Sequence, residues 1–419
     1  MSVRLALLLG AALCLHVFCS ISDTKSLRVK RGRENKHQKI PQDILDIIQK
    51  TNELAFRLYS SFNSQIPGSN IIFSPISISI ALGFLALGAE DLTKAEILEC
   101  LQYNIAETPE SDIHQGFQML LHVLRNSKMP LQVNITTALF LDEHLEMKKK
   151  FLLGAWALYS AEAISTDFSD LLSAKKLIND YVEQTTHGKI LDMVHDLDEL
   201  TKMVLVNSIF FKGKWEMPFN SENTVRSDFY MTLRRKVTIP MMRSEYLQVP
   251  YFRDRMLRTT VVQLPYLNNS ASILFILPNL GQMSMLESSL KLNKFHYWRE
   301  AMKMRKISMF LPKFSISWDY DLDQVLPNMG IVKVFSQNSD LSGITTAGRN
   351  LSLSRMVHKV VLDVTEEGTE SATTTAARVI PFSIKPKAVR FNRPFLVAVI
   401  SEDTQGILFL GKVVNPRHS

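Results

Sequence analysis

Gly406-Ile-Leu-Phe-Leu-Gly411-Lys412 is the run in this 419-residue chain whose types and spacing match a phosphate-binding loop. A phosphate cradle needs freely turning backbone and a following hydroxyl to hold magnesium. Here the intervening residues are bulky strand formers and position 413 is Val, so the segment is expected to be a strand. Other chemistries fare no better. There is no G-x-S-x-G elbow, no H-E-x-x-H helix and no C-x-x-C pair. His114 and His122 lack the i, i+4 spacing that presents two metal ligands on one helix face. Nothing points to an enzyme, a metal or a cofactor. Cys100 sits in the amphipathic run Glu96-Ile-Leu-Glu-Cys100-Leu and reads as a buried, inert thiol.

The elements around these residues read as α+β. Apolar residues recur at three-to-four spacing from Ile44 to Phe62 and again from Asp112 to Arg125, which predicts two early helices. Strand-like runs dominate later: Val204–Phe211, Thr260–Tyr266, Ile273–Leu277, Ile307–Leu311, Lys359–Val364, Phe395–Ile400 and Ile407–Val414. No flexible linker or repeat interrupts residues 43–416, so residues 43–419 are expected to form a single domain.

The net charge of +7 is concentrated at the start of the chain. Residues 1–39 hold eight Lys or Arg against Asp23 and Glu34, leaving +1 for the other 380 residues, so nucleic-acid binding is not expected. Arg4 followed by apolar Leu5–Phe18 reads as a secretory leader, residues 1–22, with cleavage after Cys19, Ser20 or Ser22. Residues 23–42 read as a basic disordered tail, in which Arg28-Val-Lys-Arg31 has the spacing convertases prefer. The mature chain then keeps Cys100 alone and forms no internal disulfide. An extracellular, monomeric glycoprotein without a membrane span is expected, with sequons at Asn134, Asn268 and Asn350.

Val389-Arg-Phe-Asn-Arg-Pro-Phe395-Leu-Val-Ala-Val399 resembles the serpin family signature at every position. Asn70-Ile-Ile-Phe-Ser-Pro-Ile-Ser77, Val206-Asn207-Ser-Ile-Phe-Phe-Lys-Gly-Lys-Trp215, Leu311-Pro-Lys-Phe314, His358-Lys359 and Phe409-Leu-Gly-Lys412 follow in the family's order. Phe210–Trp215 and Leu341-Ser-Gly-Ile344 most resemble its antitrypsin, antichymotrypsin and kallistatin group. The resemblance implies three β-sheets, about nine helices and an exposed reactive-centre loop over about residues 366–390. It also implies a polar shutter of Ser74, Ser77, Asn207 and His358, and a breach capped by Trp215.

In that family a bait loop becomes a strand. The hinge would be Glu366, Gly368, Thr369, Ser371, Ala372, Thr373 and Thr374. Strand side chains alternate, so one face takes Thr369, Ser371, Thr373, Thr375, Ala377 and Val379, none of them charged. Glu370 and Arg378 share the other face, and no proline intervenes before Pro381. Ser371-Ala-Thr-Thr374 is poorer in Ala than efficient inhibitors usually are, and its hydroxyls need partners once buried. Family spacing places the scissile bond at Phe382–Ser383, where an aromatic suits a chymotrypsin-like serine protease. The alternative is a non-inhibitory serpin that carries a hormone or acts in the reproductive tract. Lys291, Lys294, Arg299, Lys303, Arg305 and Lys306 resemble a heparin-binding region and are a candidate glycosaminoglycan surface, or simply a solvated face.

Overall fold

Every apolar run expected as a strand is one. The computed structural model describes residues 41–125, 132–369 and 386–417. Its strands are β1 (Ile71–Phe73), β2 (Gln132–Asp142), β3 (Glu162–Thr166), β4 (Met203–Lys212), β5 (Val225–Tyr230), β6 (Lys236–Asp254) and β7 (Thr259–Pro265). They continue as β8 (Ala271–Pro278), β9 (Lys303–Pro312), β10 (Phe314–Asp321), β11 (Arg355–Val364), β12 (Lys387–Arg390), β13 (Phe395–Ser401) and β14 (Ile407–Val413). The phosphate-loop lookalike is β14, buried along its whole length. Nine α-helices occur among the described residues, and the chain from Ile40 onward is one compact unit.

One sheet has five strands in the order β10-β11-β4-β2-β3. The second network has nine, running β1-β14-β13-β8-β7-β6-β9-β12 with β5 on β6. The 19-residue β6 carries a register shift between Ser244 and Leu247. Before the shift β6 pairs with β5 and β9; after it, β6 reaches β7 and the apolar strands beyond. β9 pairs with β6 on both sides of the shift, so the network bends there without losing its continuity.

The first helix, Gln42–Gln65, starts directly after Pro41 and buries Ile44, Ile47, Ile48, Leu58 and Phe62. The helix Pro75–Gly88 is apolar nearly all round, which fits only a core position. Ser74 caps it by accepting the Ser77 N–H at 3.2 Å, and Pro75 occupies the first turn, where a missing N–H costs nothing. Its N-terminus lies beneath the five-stranded sheet and delivers Ser74 and Ser77 to the sheet's centre. Cys100 is buried, and burial pushes its thiol up, against the opposing influence of the Arg57 guanidinium.

Candidate functional site

β4 and β11 form the central parallel pair of the five-stranded sheet, with His358 opposite Asn207. β10 places Tyr320 opposite His358, and β2 places Thr137 opposite Asn207. Tyr320, His358, Asn207 and Thr137 therefore make one row across four strands. The Ser74 N–H donates to His358 Nε2 at 3.2 Å, which fixes the imidazole proton on Nδ1. Nδ1–H then donates to Asn207 Oδ1 at 2.7 Å, which also accepts from Ser77 Oγ at 2.8 Å. Asn207 Nδ2 donates to Thr137 Oγ1 at 3.0 Å. Burial drives the His358 pKa down to about 3, so the ring is neutral. The four residues expected at the shutter thus meet in one network. Thr137 and Tyr320 join them through register, for which the sequence held no local signal.

Pairing between β4 and β11 runs from Val204–Arg355 to Phe210–Val361 and stops there. Past that point the chain leaving β11 folds back. The Thr365 N–H donates to Gly368 O at 2.7 Å and the Gly368 N–H to Thr365 O at 3.3 Å, with Glu366 and Glu367 at the turn. Gly368 then bridges Lys214 in antiparallel sense. The Thr369 N–H donates to Gly213 O at 2.7 Å, and Thr369 Oγ1 accepts the Gly213 N–H at 2.8 Å. Thr369 is only 2% exposed. The hinge thus begins antiparallel to the extension of β4, at the open end of the parallel seam. Gly368 has φ +139°, and a Cβ there would lie 2.1 Å from Gly213 O, so the backbone conformation and the close approach both require glycine.

Trp215 closes this end of the seam. Its N–H donates to Glu367 O at 2.8 Å and its indole Nε1–H to Thr365 O at 2.9 Å, while the ring stacks on Tyr266 at 4.6 Å. Glu366 accepts from Thr224 Oγ1 at 2.9 Å and pairs with Lys313 at 2.8 Å. Burial alone would raise the Glu366 carboxyl; hydrogen bonds from Lys313 and Thr224 outweigh it and hold the group below its ordinary value. Gly213, Thr224 and Lys313 are partners that sequence reading missed. Ser371, Ala372, Thr373, Thr374, Phe382 and Ser383 lie outside the described residues, as do residues 1–40. At the far end of the expected loop, Lys387–Arg390 is already strand.

The six cations expected as one heparin face are differently engaged. Arg299 is tied to Glu402 at 2.7 Å and Lys294 to Asp254 at 3.6 Å, whereas Lys291, Lys303, Arg305 and Lys306 are exposed. Asn268 and Asn350 are exposed at positive φ. Asn134 lies within β2, and its side-chain nitrogen donates to Thr185 O at 2.8 Å. Among the described residues no helix is long and apolar enough to cross a membrane.

The chain leaving β11 thus seats Gly368–Thr369 antiparallel on Gly213–Lys214, beside the point where the β4–β11 pairing ends. The chain belongs to the serpin (serine protease inhibitor) family, whose family model matches residues 49–416. Human alpha-1-antichymotrypsin is 46% identical over 419 aligned residues, covering 98% of this chain and 97% of the relative. Among solved structures, human glycosylated kallistatin superposes with a TM-score of 0.84 at 42% identity, covering 90% of this chain and all of that one. Human thyroxine-binding globulin in complex with thyroxine also reaches 0.84, at 39% identity and 89% and 99% coverage. The family's description as serine protease inhibitors fits a protein that is not itself a catalyst.

Proposed function

We propose that the protein is a secreted suicide-substrate inhibitor of chymotrypsin-like serine proteases, cleaved at Phe382–Ser383. Residues 1–22 serve as the leader, the basic tail expected over residues 23–42 ends by Pro41, directly before the first helix, and Asn268 and Asn350 are the sequons best placed for glycans. The observation that carries the reading is the antiparallel seat of Gly368–Thr369 on Gly213–Lys214, beside the point where β4 and β11 stop pairing. A strand continuing from Thr369 between them would run antiparallel to both and replace a parallel ladder with two antiparallel ones. At about 0.5–1.5 kcal/mol net per added backbone bond, ten or so bonds supply several kcal/mol to drag an acyl-linked protease across the molecule. Inserted Ser371 and Thr373 would share the buried face with Thr369, whose hydroxyl already has a backbone partner in Gly213.

Mixing the purified protein with chymotrypsin tests this. An SDS-stable complex, with a sharply raised melting temperature for loop-cleaved protein, is expected. Clean cleavage without either result would end the inhibitor reading.

A second reading, carriage of a small ligand, draws on the likeness to thyroxine-binding globulin. It predicts cleavage without a covalent protease complex, so the same mixture separates the two. Glycosaminoglycan binding, if it uses the expected region, would fall to the exposed Lys291, Lys303, Arg305 and Lys306 rather than to Lys294 and Arg299. Chromatography on immobilised heparin at physiological salt, with wild type and a Lys303→Gln/Arg305→Gln variant, tests that assignment.

A further inference from the structure

Away from the hinge, β6 ends on Tyr251-Phe-Arg-Asp254, and Arg253 is the register partner of Thr260 on β7. Arg253 Nη1 donates to Thr260 Oγ1 at 2.8 Å and Nη2 to Asn279 Oδ1 at 2.9 Å. Arg393, between β12 and β13, donates from Nε to Pro278 O at 2.8 Å and makes a 3.5 Å contact from Nη1 to Asn392. Lys387, the first residue of β12, donates to the Tyr251 hydroxyl at 2.9 Å. A cavity of about 330 Å³ lies here, with Thr260 and Leu277 from neighbouring strands and Lys387, Val389, Asn392 and Arg393 among its lining residues.

Its charge is one-sided. The lining includes Lys387, Arg390 and Arg393 and no carboxylate. Asp254, the acid next to Arg253, is engaged elsewhere by Trp298 Nε1 at 2.9 Å and by Lys294. Arg390 sits over the Phe310 ring at 3.8 Å, a contact that leaves its charge uncompensated. Burial and the neighbouring Arg253 charge together press the Arg393 guanidinium pKa down. Two half-buried guanidiniums that feel each other, with every hydrogen bond going to a neutral acceptor, are stabilised by an anion near them. The fork of Arg matches the oxygens of sulfate and phosphate.

We propose that this cavity binds a tetrahedral oxyanion, a sulfate or phosphate group, held by Arg393 and Lys387 with Arg253 behind Thr260 supplying further positive charge. The site borders the Lys291–Lys306 region, since Tyr251, which Lys387 touches, is the register partner of Lys303, but its proposed ligands are Arg393 and Lys387 and not those cations.

Calorimetric titration of the full-length secreted protein with sodium sulfate, sodium phosphate and a heparin-derived hexasaccharide, against chloride at equal ionic strength, tests it. Saturable binding of at least one of the three is expected. Lys387→Gln, at an exposed position that leaves the fold intact, should weaken it about tenfold, the scale of one lost charged hydrogen bond, and Arg253→Gln, which removes a nearby charge, should weaken it by a smaller factor. Lys303→Gln should leave it unchanged. Tighter binding of the hexasaccharide that is sensitive to Lys387→Gln identifies a sulfate ester on a polysaccharide as the source. Binding of inorganic phosphate or sulfate alone identifies the free ion. The proposal is overturned if no anion binds saturably, or if binding is the same in the wild type and both pocket variants. Hexasaccharide binding lost only with Lys303→Gln would likewise overturn it, while leaving the glycosaminoglycan reading in place.

Discussion

His358 and Asn207 face each other across the parallel seam of the five-stranded sheet, joined by a 2.7 Å hydrogen bond from Nδ1 to Oδ1. Parting β4 from β11 at this row must break that bond. Both residues also bond to the helix start below, through Ser74 and Ser77. A buried network of this kind favours two discrete arrangements, closed or remade, because a half-satisfied one is costly.

That geometry sets a pH dependence. In the fold, burial holds the His358 pKa at about 3; in the unfolded chain it returns to its ordinary 6.5. Above pH 6.5 neither state carries the proton and the native contribution is complete. As pH falls below 6.5 the unfolded chain binds a proton that the native one does not. Stability then declines by up to about 1.4 kcal/mol per pH unit until the folded group titrates. Urea unfolding at pH 7 and pH 5 should differ by about 2 kcal/mol more in the wild type than in His358→Gln. An identical pH dependence in the two proteins would show that His358 is not the group responsible.

A second prediction concerns the turn out of β11. In Gly368→Ala the added methyl meets Gly213 O and the backbone loses its easy access to φ +139°. The bonds from Thr369 to Gly213 should then be strained or lost, destabilising the intact protein by about 1–3 kcal/mol. Differential scanning calorimetry of uncleaved protein should show the lower transition. Hydrogen exchange at the amides of Gly213 and Thr369 should accelerate, and unchanged protection there would contradict the docked hinge.

Much of the framework was legible because a strand buried on both faces is a continuous apolar run. β4, β8, β13 and β14 are such strands. β5, β6, β10 and β12 escaped notice because they alternate or lie at edges, where polar residues such as Arg226, Asp228, Ser315 and Asp319 are tolerated. Ser74, Ser77, Asn207 and His358 could be named from the family resemblance. Thr137 and Tyr320 could not, since their membership follows from strand register between segments far apart in sequence. The ion pair of Lys313 with Glu366 was hidden for the same reason.

Thr373 supplies a third prediction. Side-chain alternation puts it on the same face as Thr369, which is already buried on Gly213 in the intact protein. In Thr373→Arg insertion would have to bury a guanidinium with no carboxylate partner on that face, a penalty of about 3–5 kcal/mol for an uncompensated buried charge. That is comparable to the gain proposed for insertion. Chymotrypsin should still cleave the variant, but the SDS-stable complex should fall away in favour of cleaved product, and the melting temperature should rise little after cleavage. Full complex formation by Thr373→Arg would show that this residue need not enter the sheet.

The last prediction separates what recognises the protease from what traps it. If Phe382 fills the apolar slot of a chymotrypsin-like enzyme, Phe382→Arg places a cation where no counter-charge waits, and the association rate with chymotrypsin should fall about a hundredfold or more. A trypsin-like slot carries the complementary carboxylate, so trypsin should now form the covalent complex. The shutter, the hinge and Trp215 are untouched by this substitution, so the rise in melting temperature after cleavage should equal that of the wild type. The two readouts therefore come apart by design. Were the association rates with both enzymes unaltered, the scissile bond would lie elsewhere, with Arg378 the next candidate for a trypsin-like cut. Sequencing the new N-terminus released by chymotrypsin, expected at Ser383, decides between them.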